Sequence, residues 1–327
     1  MSLSNLAITG RDLLDPAYHG LLDEPPQTWS HGTLPGIRQR VHAGFQPSEP
    51  LRFQEHWVAS AEGDAPLRLC IYAPLGLEAG SAKPSIYYIH GGGFVLGKPE
   101  MADDQLAELA RTLGALVVAV DYRLAPEHPF PAPLEDCFKG LEWLIERTES
   151  FGMDPQRIAL MGHSAGGGLA AALALLARDR GLPALAGQLL VYPMLDRRTG
   201  TPQTPTDNPT TGEFAWTPDA NQFCWACLQG QQMPDETMLA YFSPSLATDL
   251  AGLPPTFIAV GALDLFFEED LDYARRLSRA GVAMELHVYP GVTHMFDLSP
   301  SSQTAQCKEA VNLALKRWWW KAYKPDY

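Results

Sequence analysis

Gly162-His163-Ser164-Ala165-Gly166 sets a hydroxyl between two glycines, and Gly167 and Gly168 follow at once. The G-x-S-x-G pattern suits a nucleophilic serine on a sharp strand-to-helix turn. An apolar run at residues 157–160 precedes it, and an Ala/Leu-rich run at 165–178 follows. A strand is therefore expected to turn into a helix at Ser164. Such a turn strains the serine backbone, and glycines two positions to either side let neighbouring chain approach without a Cβ clash. The hydroxyl is then exposed at a sheet edge, at the positive end of a helix. The chemistry implied is attack on a carbonyl. Five residues of this kind are common by chance, so the flanking strand and helix carry most of the weight.

A second cluster, His90-Gly91-Gly92-Gly93-Phe94, directly follows an apolar run at 85–89. Three bare glycines bring backbone N–H groups within reach of a substrate oxygen. Loops of this type complete an oxyanion hole together with the N–H after the nucleophile, here Ala165. A flexible turn is the alternative, but the loop lies upstream of the serine where such a hole is built. The N–H groups of the glycine loop and of Ala165 are the expected donors.

A serine nucleophile needs a base, and the base needs an orienting acid. In this kind of site the chain order is Ser, then Asp or Glu, then His. Of nine histidines, His287 and His294 follow Ser164. His287 falls within an apolar run at 285–289, where it would pack on a sheet face. His294 lies in the loop after that run and is the favoured base. Asp264 follows the apolar run 256–260 after a short turn and is the favoured acid. Glu268, Glu269, Asp270 and Asp272 are rivals, but acids there suit the first turn of the next helix. Glu268 also reads as a group that touches the site from outside. His163 and His90 read as packing or loop support, His90 by a hydrogen bond to its own loop.

The elements that must position these groups alternate along the chain. Strand-length apolar runs at 53–60, 67–73, 85–89, 115–120, 157–160, 187–192, 256–260 and 285–289 are separated by helical patterns at 101–113, 134–148, 165–178 and 268–280. A turn is expected at 61–66. Buried strands alternating with helices imply parallel βαβ units with helices on both faces. Sites in such sheets form at the carboxyl ends of the strands. Four segments follow: an N-terminal cap segment at 1–52, rich in Pro, Gly and His with a short helical stretch at 34–43; a first core part at 53–194; a cap insertion at 195–240 with a helix near 218–229; and a second core part at 241–327.

Taken together, HGGG at 90–93, DYRLAPEHPFP at 121–131 and GHSAGG at 162–167 resemble the hormone-sensitive-lipase-like branch of the α/β-hydrolases, which includes microbial acetyl esterases and carboxylesterases. The likeness runs from about residue 53 to the C-terminus. It implies an α/β-hydrolase fold: a mostly parallel sheet of about eight strands, helices on both faces and a helical cap. It also implies Ser164 as nucleophile, Asp264 as acid, His294 as base, oxyanion donors at Gly92, Gly93 and Ala165 with Gly91 as a helper, and no cofactor. The 122–131 run would brace the loop behind the site. Two departures stand out. His163 occupies a position where the family often has Asp, and Met295-Phe296 follow the base where a small residue is usual.

Composition excludes several other classes. The 327 residues carry 24 Lys plus Arg against 38 Asp plus Glu, a net charge of −14. That charge repels phosphate backbones and anionic lipid, so no nucleic acid partner is expected. A small neutral ester is the expected substrate, and the sequence admits a homodimer. No run approaches the roughly 20 apolar residues of a membrane span. No basic region followed by an apolar run opens the chain, so a cytoplasmic location is expected. Trp318, Trp319 and Trp320 close an amphipathic run at 304–322 and read as helix packing. Cys224 and Cys227 form a C-x-x-C without a second pair or nearby His, so they read as packing rather than as a metal or redox site. Phe94, Phe214, Trp216, Phe223 and Trp225 would either narrow the substrate pocket, favouring short acyl chains, or pack the lid. An amidase or lactonase would use the same triad, and a non-catalytic ligand-binding relative is a further alternative.

Overall fold

The computed structural model describes residues 8–45, 52–59, 65–74 and 82–322, with side chains described to 319. Eight strands form one sheet: β1 (Gln54–Val58), β2 (Leu67–Tyr72), β3 (Lys83–Ile89), β4 (Leu116–Asp121), β5 (Met153–His163), β6 (Gly187–Val191), β7 (Thr256–Gly261) and β8 (Met284–Tyr289). Their order is β1-β2-β4-β3-β5-β6-β7-β8. β1 and β2 pair antiparallel, as do β2 and β4; every pairing from β4 through β3 to β8 is parallel. This is the mostly parallel eight-stranded sheet that the alternating runs predict. Of the turn expected at 61–66, residues 61–64 lie outside the described residues.

Near-continuous apolar runs form the inner strands because both faces are covered. Along β3, Ile86 and Tyr88 belong to one core and Tyr87 and Ile89 to the other. The period of two places successive side chains on opposite faces, and each face needs a helical layer to bury it. Packed on one face are α4 (Ala132–Glu146), α5 (Ala165–Asp179) and α8 (Phe267–Arg279); on the other lie α3 (Asp103–Leu113) and α9 (Ser302–Ala322). Leu134, Cys137, Leu141 and Leu144 repeat at three- and four-residue spacing along α4 and are all buried. That spacing is the inward stripe of an amphipathic helix. The helix α5 is buried from Ala165 to Ala177. Its small residues let it lie close on the sheet centre. Trp318 and Trp319 are buried against the sheet from α9, and the side chain of Trp320 lies outside the described residues.

Further helices are α1 (Gly10–Leu13), α2 (Leu34–Gly44) and α7 (Leu239–Phe242), with a 3-10 helix at Pro16–Asp23. The expected insertion helix is α6 (Pro218–Gln229), capped by Thr217 on Ala220 N. Leu34 and Ile37 of α2 join the same core as Trp216, Cys224 and Cys227. Arg38 of α2 donates to Val95 O at 2.6 Å and Ala125 O at 2.8 Å, and pairs with both oxygens of Glu127. Those bonds hold the Glu127 carboxyl down to about 2. Thus the N-terminal helix is tied to the segment 122–131 that the resemblance casts as a brace.

Candidate active site

The strand β5 runs straight into Ser164, its ladder extending through Gly162 and His163 opposite Leu190 and Val191 of β6. Ser164 itself has φ 56° and ψ −122° and caps α5. A positive φ strains any residue with a Cβ. Backbone bonds hold it there: Ser164 N donates to Val191 O at 2.9 Å, and Ser164 O accepts from Gly168 N and Met194 N at 3.0 Å each. A Cβ on Gly162 would run into Gly166 O, and one on Gly166 into Ile89 O and His90 O. The glycine spacing is therefore a packing requirement of the turn.

His294 Nε2 lies 2.8 Å from Ser164 Oγ, and His294 Nδ1 lies 2.8 Å from Asp264 Oδ2. The three side chains come from the carboxyl ends of β5, β7 and β8. Two loops are pinned together to achieve this: Leu263 N donates to Val292 O at 3.0 Å and Ala262 N to Tyr289 O at 2.8 Å. A Cβ on Gly261 would collide with Val292 O, so Gly is needed where the loops touch. Phe266 N donates to Asp264 Oδ1 at 2.9 Å, which leaves Oδ2 aimed at the imidazole. The ring of His294 sits between Tyr192, 4.5 Å away centroid to centroid, and Phe266 at 5.1 Å. All three polar side chains are buried. A chain of this kind can pass a proton from Oγ to Nε2 while the carboxylate fixes the tautomer.

The glycine loop lies beside it. Gly92, Gly93 and Phe94 have φ of 118°, 59° and 65°. A Cβ on Gly91 would stand 3.4 Å from Ser164 Cβ, and one on Gly93 2.7 Å from Cys224 Sγ and the Trp216 ring. The N–H groups of Gly91, Gly92, Gly93 and Ala165 meet no acceptor among the described residues. His90 is stacked on Tyr122 at 4.2 Å, and Tyr122 OH donates to His90 O at 3.0 Å. Burial pushes the His90 imidazole pKa down, so the ring is neutral, and Nδ1–H donates to Gly91 O at 2.8 Å. His90 thus ties down its own loop.

The remaining expected residues separate by position. A cavity of about 240 Å³ reaches Ser164 and His294, and Gly91, Gly92 and Trp216 line it. Phe94 packs on Trp225, Trp225 on Phe242, Phe223 on Trp29, and Phe214 under Arg11. Those four do not line the cavity. Both Cys224 and Cys227 are buried in the core, and no group of His, Cys, Asp and Glu suited to a metal occurs among the described residues. His287 stacks on Phe257 and bonds Glu285, as a sheet-face residue should. Glu268 accepts from Asn208 at 2.9 Å and lines a different cleft from Ser164.

Trp29, Tyr192 and Asp297 line the cavity without having been singled out by any motif. Tyr192 carries the signal that marks Asp264 and His294, a position at the carboxyl end of a strand. Its OH donates to Asp297 Oδ1 at 2.5 Å, and His163 Nε2 lies 3.4 Å from Asp297 Oδ2. Burial raises the Asp297 pKa, but the bonds from His163 and Tyr192 outweigh it and hold the carboxyl below its usual range.

Two carboxyls behind Asp264 behave in the opposite way. Glu269 accepts from Leu195 N at 2.6 Å and Asp196 N at 3.1 Å, so it anchors the start of the insertion. Asp270 is fully buried with no partner for either oxygen among the described residues. Burial first, then the charges of Glu269 and Asp264, push its pKa well up. Its folded-state pKa exceeds the unfolded value of about 3.9. The penalty is therefore absent below that pH and grows as pH rises toward the folded-state pKa. Asp270→Asn is expected to leave the melting temperature unchanged near pH 4 and to raise it by a few degrees at pH 8, as read by circular dichroism.

Residues 86–298 match the alpha/beta hydrolase fold family. The chain is 36% identical over 291 residues to carboxylesterase NlhH of Mycobacterium tuberculosis, covering 86% of this chain and 88% of that one. It is 35% identical over 232 residues to an ethyl acetate hydrolase of Pseudomonas putida, covering 71% of each. Among solved structures it is similar to a bacterial heroin esterase, with a TM-score of 0.81 at 34% identity over 94% of this chain and 98% of that one. Esterase LipW from Mycobacterium marinum also gives 0.81 at 34% identity, over 94% and 96%. No helix among the described residues is long and apolar enough to cross a membrane.

Proposed function

The chain belongs to the alpha/beta hydrolase fold family, and from that premise we propose that it is a carboxylic ester hydrolase that works through an acyl-enzyme on Ser164. The observation that carries this reading is the continuous chain Ser164 Oγ–His294–Asp264, with both links at 2.8 Å.

In the first half-reaction His294 Nε2 takes the hydroxyl proton as Ser164 Oγ attacks the ester carbonyl. The carbonyl oxygen becomes an oxyanion among the unspent N–H groups of the glycine loop and Ala165. Collapse breaks the bond to the alcohol, which leaves with the proton from His294. Water then gives its proton to His294 and attacks the acyl carbonyl; the acid departs and Ser164 regains its hydrogen. Asp264 holds the imidazole tautomer and stabilises its charged form throughout. Gly92→Ala tests the oxyanion role, because its Cβ would clash with Leu96 O and displace the loop. Loss of one donor typically costs about 10² to 10³ in rate. A fall of that size in kcat, with KM little changed, is the expected result for a variant that still melts cooperatively.

The substrate reading is a small, neutral ester with a short acyl chain. The cavity of about 240 Å³ is walled by Trp216, Trp29, Ile37, Met101 and Leu298 beside Ser164, and the Asp297 carboxylate in its lining is already held by His163 and Tyr192. Residues 8–45 and the insertion 195–240 serve as its cap: Trp29 from the first meets Trp216 from the second at 5.5 Å, and both line the cavity with Ser164. Rates on 4-nitrophenyl esters from acetate to laurate check this. The maximum is expected among the shorter chains, and a maximum at laurate would contradict the short-acyl reading.

A further inference from the structure

The partition behind the active-site cavity is thin. His163, Asp297 and Gln105 line that cavity and also line a second pocket of about 70 Å³ between α3 and α9. Leu109 and Thr112 of α3 and Cys307 and Val311 of α9 form the far wall of the second pocket. Thr112 is exposed, so the pocket reaches the surface. One layer of side chains therefore separates Ser164's cavity from additional space, much of it apolar.

We infer that this partition is the end-stop that limits chain length in the ester substrate. It would exclude a hydrocarbon chain that would otherwise run into the pocket between α3 and α9. The inference rests on the ester-hydrolase reading and extends it to specificity. The geometry supplies the reason. The His163–Asp297 pair is locked by the Tyr192 hydroxyl on the other carboxylate oxygen. Parting the pair would leave a buried carboxylate short of a partner, which is strongly unfavourable. An alkyl chain therefore cannot push the pair aside as it could a flexible methionine. Gln105, the third member, makes no side-chain hydrogen bond among the described residues and is the weak point of the wall.

Two variants open the wall in different ways. Gln105→Ala removes the weak member and leaves the His163–Asp297 contact in place. His163→Ala with Asp297→Asn removes the pair and the charge that would be stranded. Each is assayed on 4-nitrophenyl esters of increasing acyl length and on acetates of increasing alcohol length. One methylene housed in an apolar pocket changes kcat/KM by about tenfold or more. In at least one series the opened variants are expected to peak at longer chains, with the long-to-short ratio raised about tenfold per methylene admitted. Thr112→Phe refills the far pocket. It should return the Gln105→Ala profile to that of the wild type and leave the wild-type profile unchanged. A uniform fall across all lengths in both series, or a shift that survives Thr112→Phe, overturns the end-stop. Should the double variant fail to fold, Gln105→Ala decides alone. A folded wild type with no ester hydrolysis would instead overturn the functional reading beneath it.

Discussion

Ser164→Ala is expected to lower kcat by about 10⁶-fold on any ester the wild type turns over, with KM changed little. In serine hydrolases of other folds, loss of the nucleophile costs about that factor. The residual rate comes from the oxyanion donors and from binding. Ground-state binding survives because the hydroxyl contributes little to a cavity walled by Trp29, Trp216 and Leu298. Folding survives as well. The strained backbone at Ser164 is held by bonds from Val191, Gly168 and Met194, and none of them uses the side chain. Active-site titration and steady-state rates on the purified variant check this, and a variant that keeps a tenth of wild-type turnover would show that another group attacks the substrate.

Asp264→Asn should cost about 10⁴-fold in kcat, a figure set by the same change in a serine protease triad. That factor is about 5.5 kcal/mol of transition-state stabilisation. The reason lies in one proton. Asp264 Oδ2 accepts from His294 Nδ1, which leaves Nε2 unprotonated and ready to take the Ser164 hydrogen. An amide presenting its NH₂ group to Nδ1 favours the other tautomer, with the hydrogen on Nε2, and the base is lost. Phe266 N still has a carbonyl oxygen to bond, so the loop keeps its shape. A melting temperature near that of the wild type beside a rate loss of this size is the expected pattern. Equal losses in stability and rate would recast Asp264 as a structural residue.

The site was legible where chemistry and backbone make the same demand. Ser164 sits where a strand must turn into a helix, and the glycines around it are those whose Cβ atoms would strike neighbouring backbone. Asp264 and His294 could be read because parallel sheets put their sites at strand carboxyl ends. The inner strands could be read because they bury both faces, whereas the edge strands β1 and β8 stay partly exposed. Less could be read wherever a residue's role depends on a distant partner. Phe94, Phe223 and Trp225 resemble pocket residues by type, yet the packing of α6 against the core turns them away from the cavity. Trp29 lines it from a segment with no motif, because its place is set by contacts with Trp216 and Phe223, 187 and 194 positions away. His163 reads as packing until Asp297 stands beside it, and nothing in the spacing of 134 positions pairs the two.

The most direct test of the account is to trap the intermediate. The wild-type enzyme is mixed with excess 4-nitrophenyl acetate, quenched in acid within the first turnovers, digested and examined by mass spectrometry. The account predicts a burst of nitrophenol equal to the enzyme present and an acetyl group on the peptide carrying Ser164, absent from Ser164→Ala. Steady turnover with no burst and no acyl group on that peptide, under conditions where acylation outpaces hydrolysis, would contradict it.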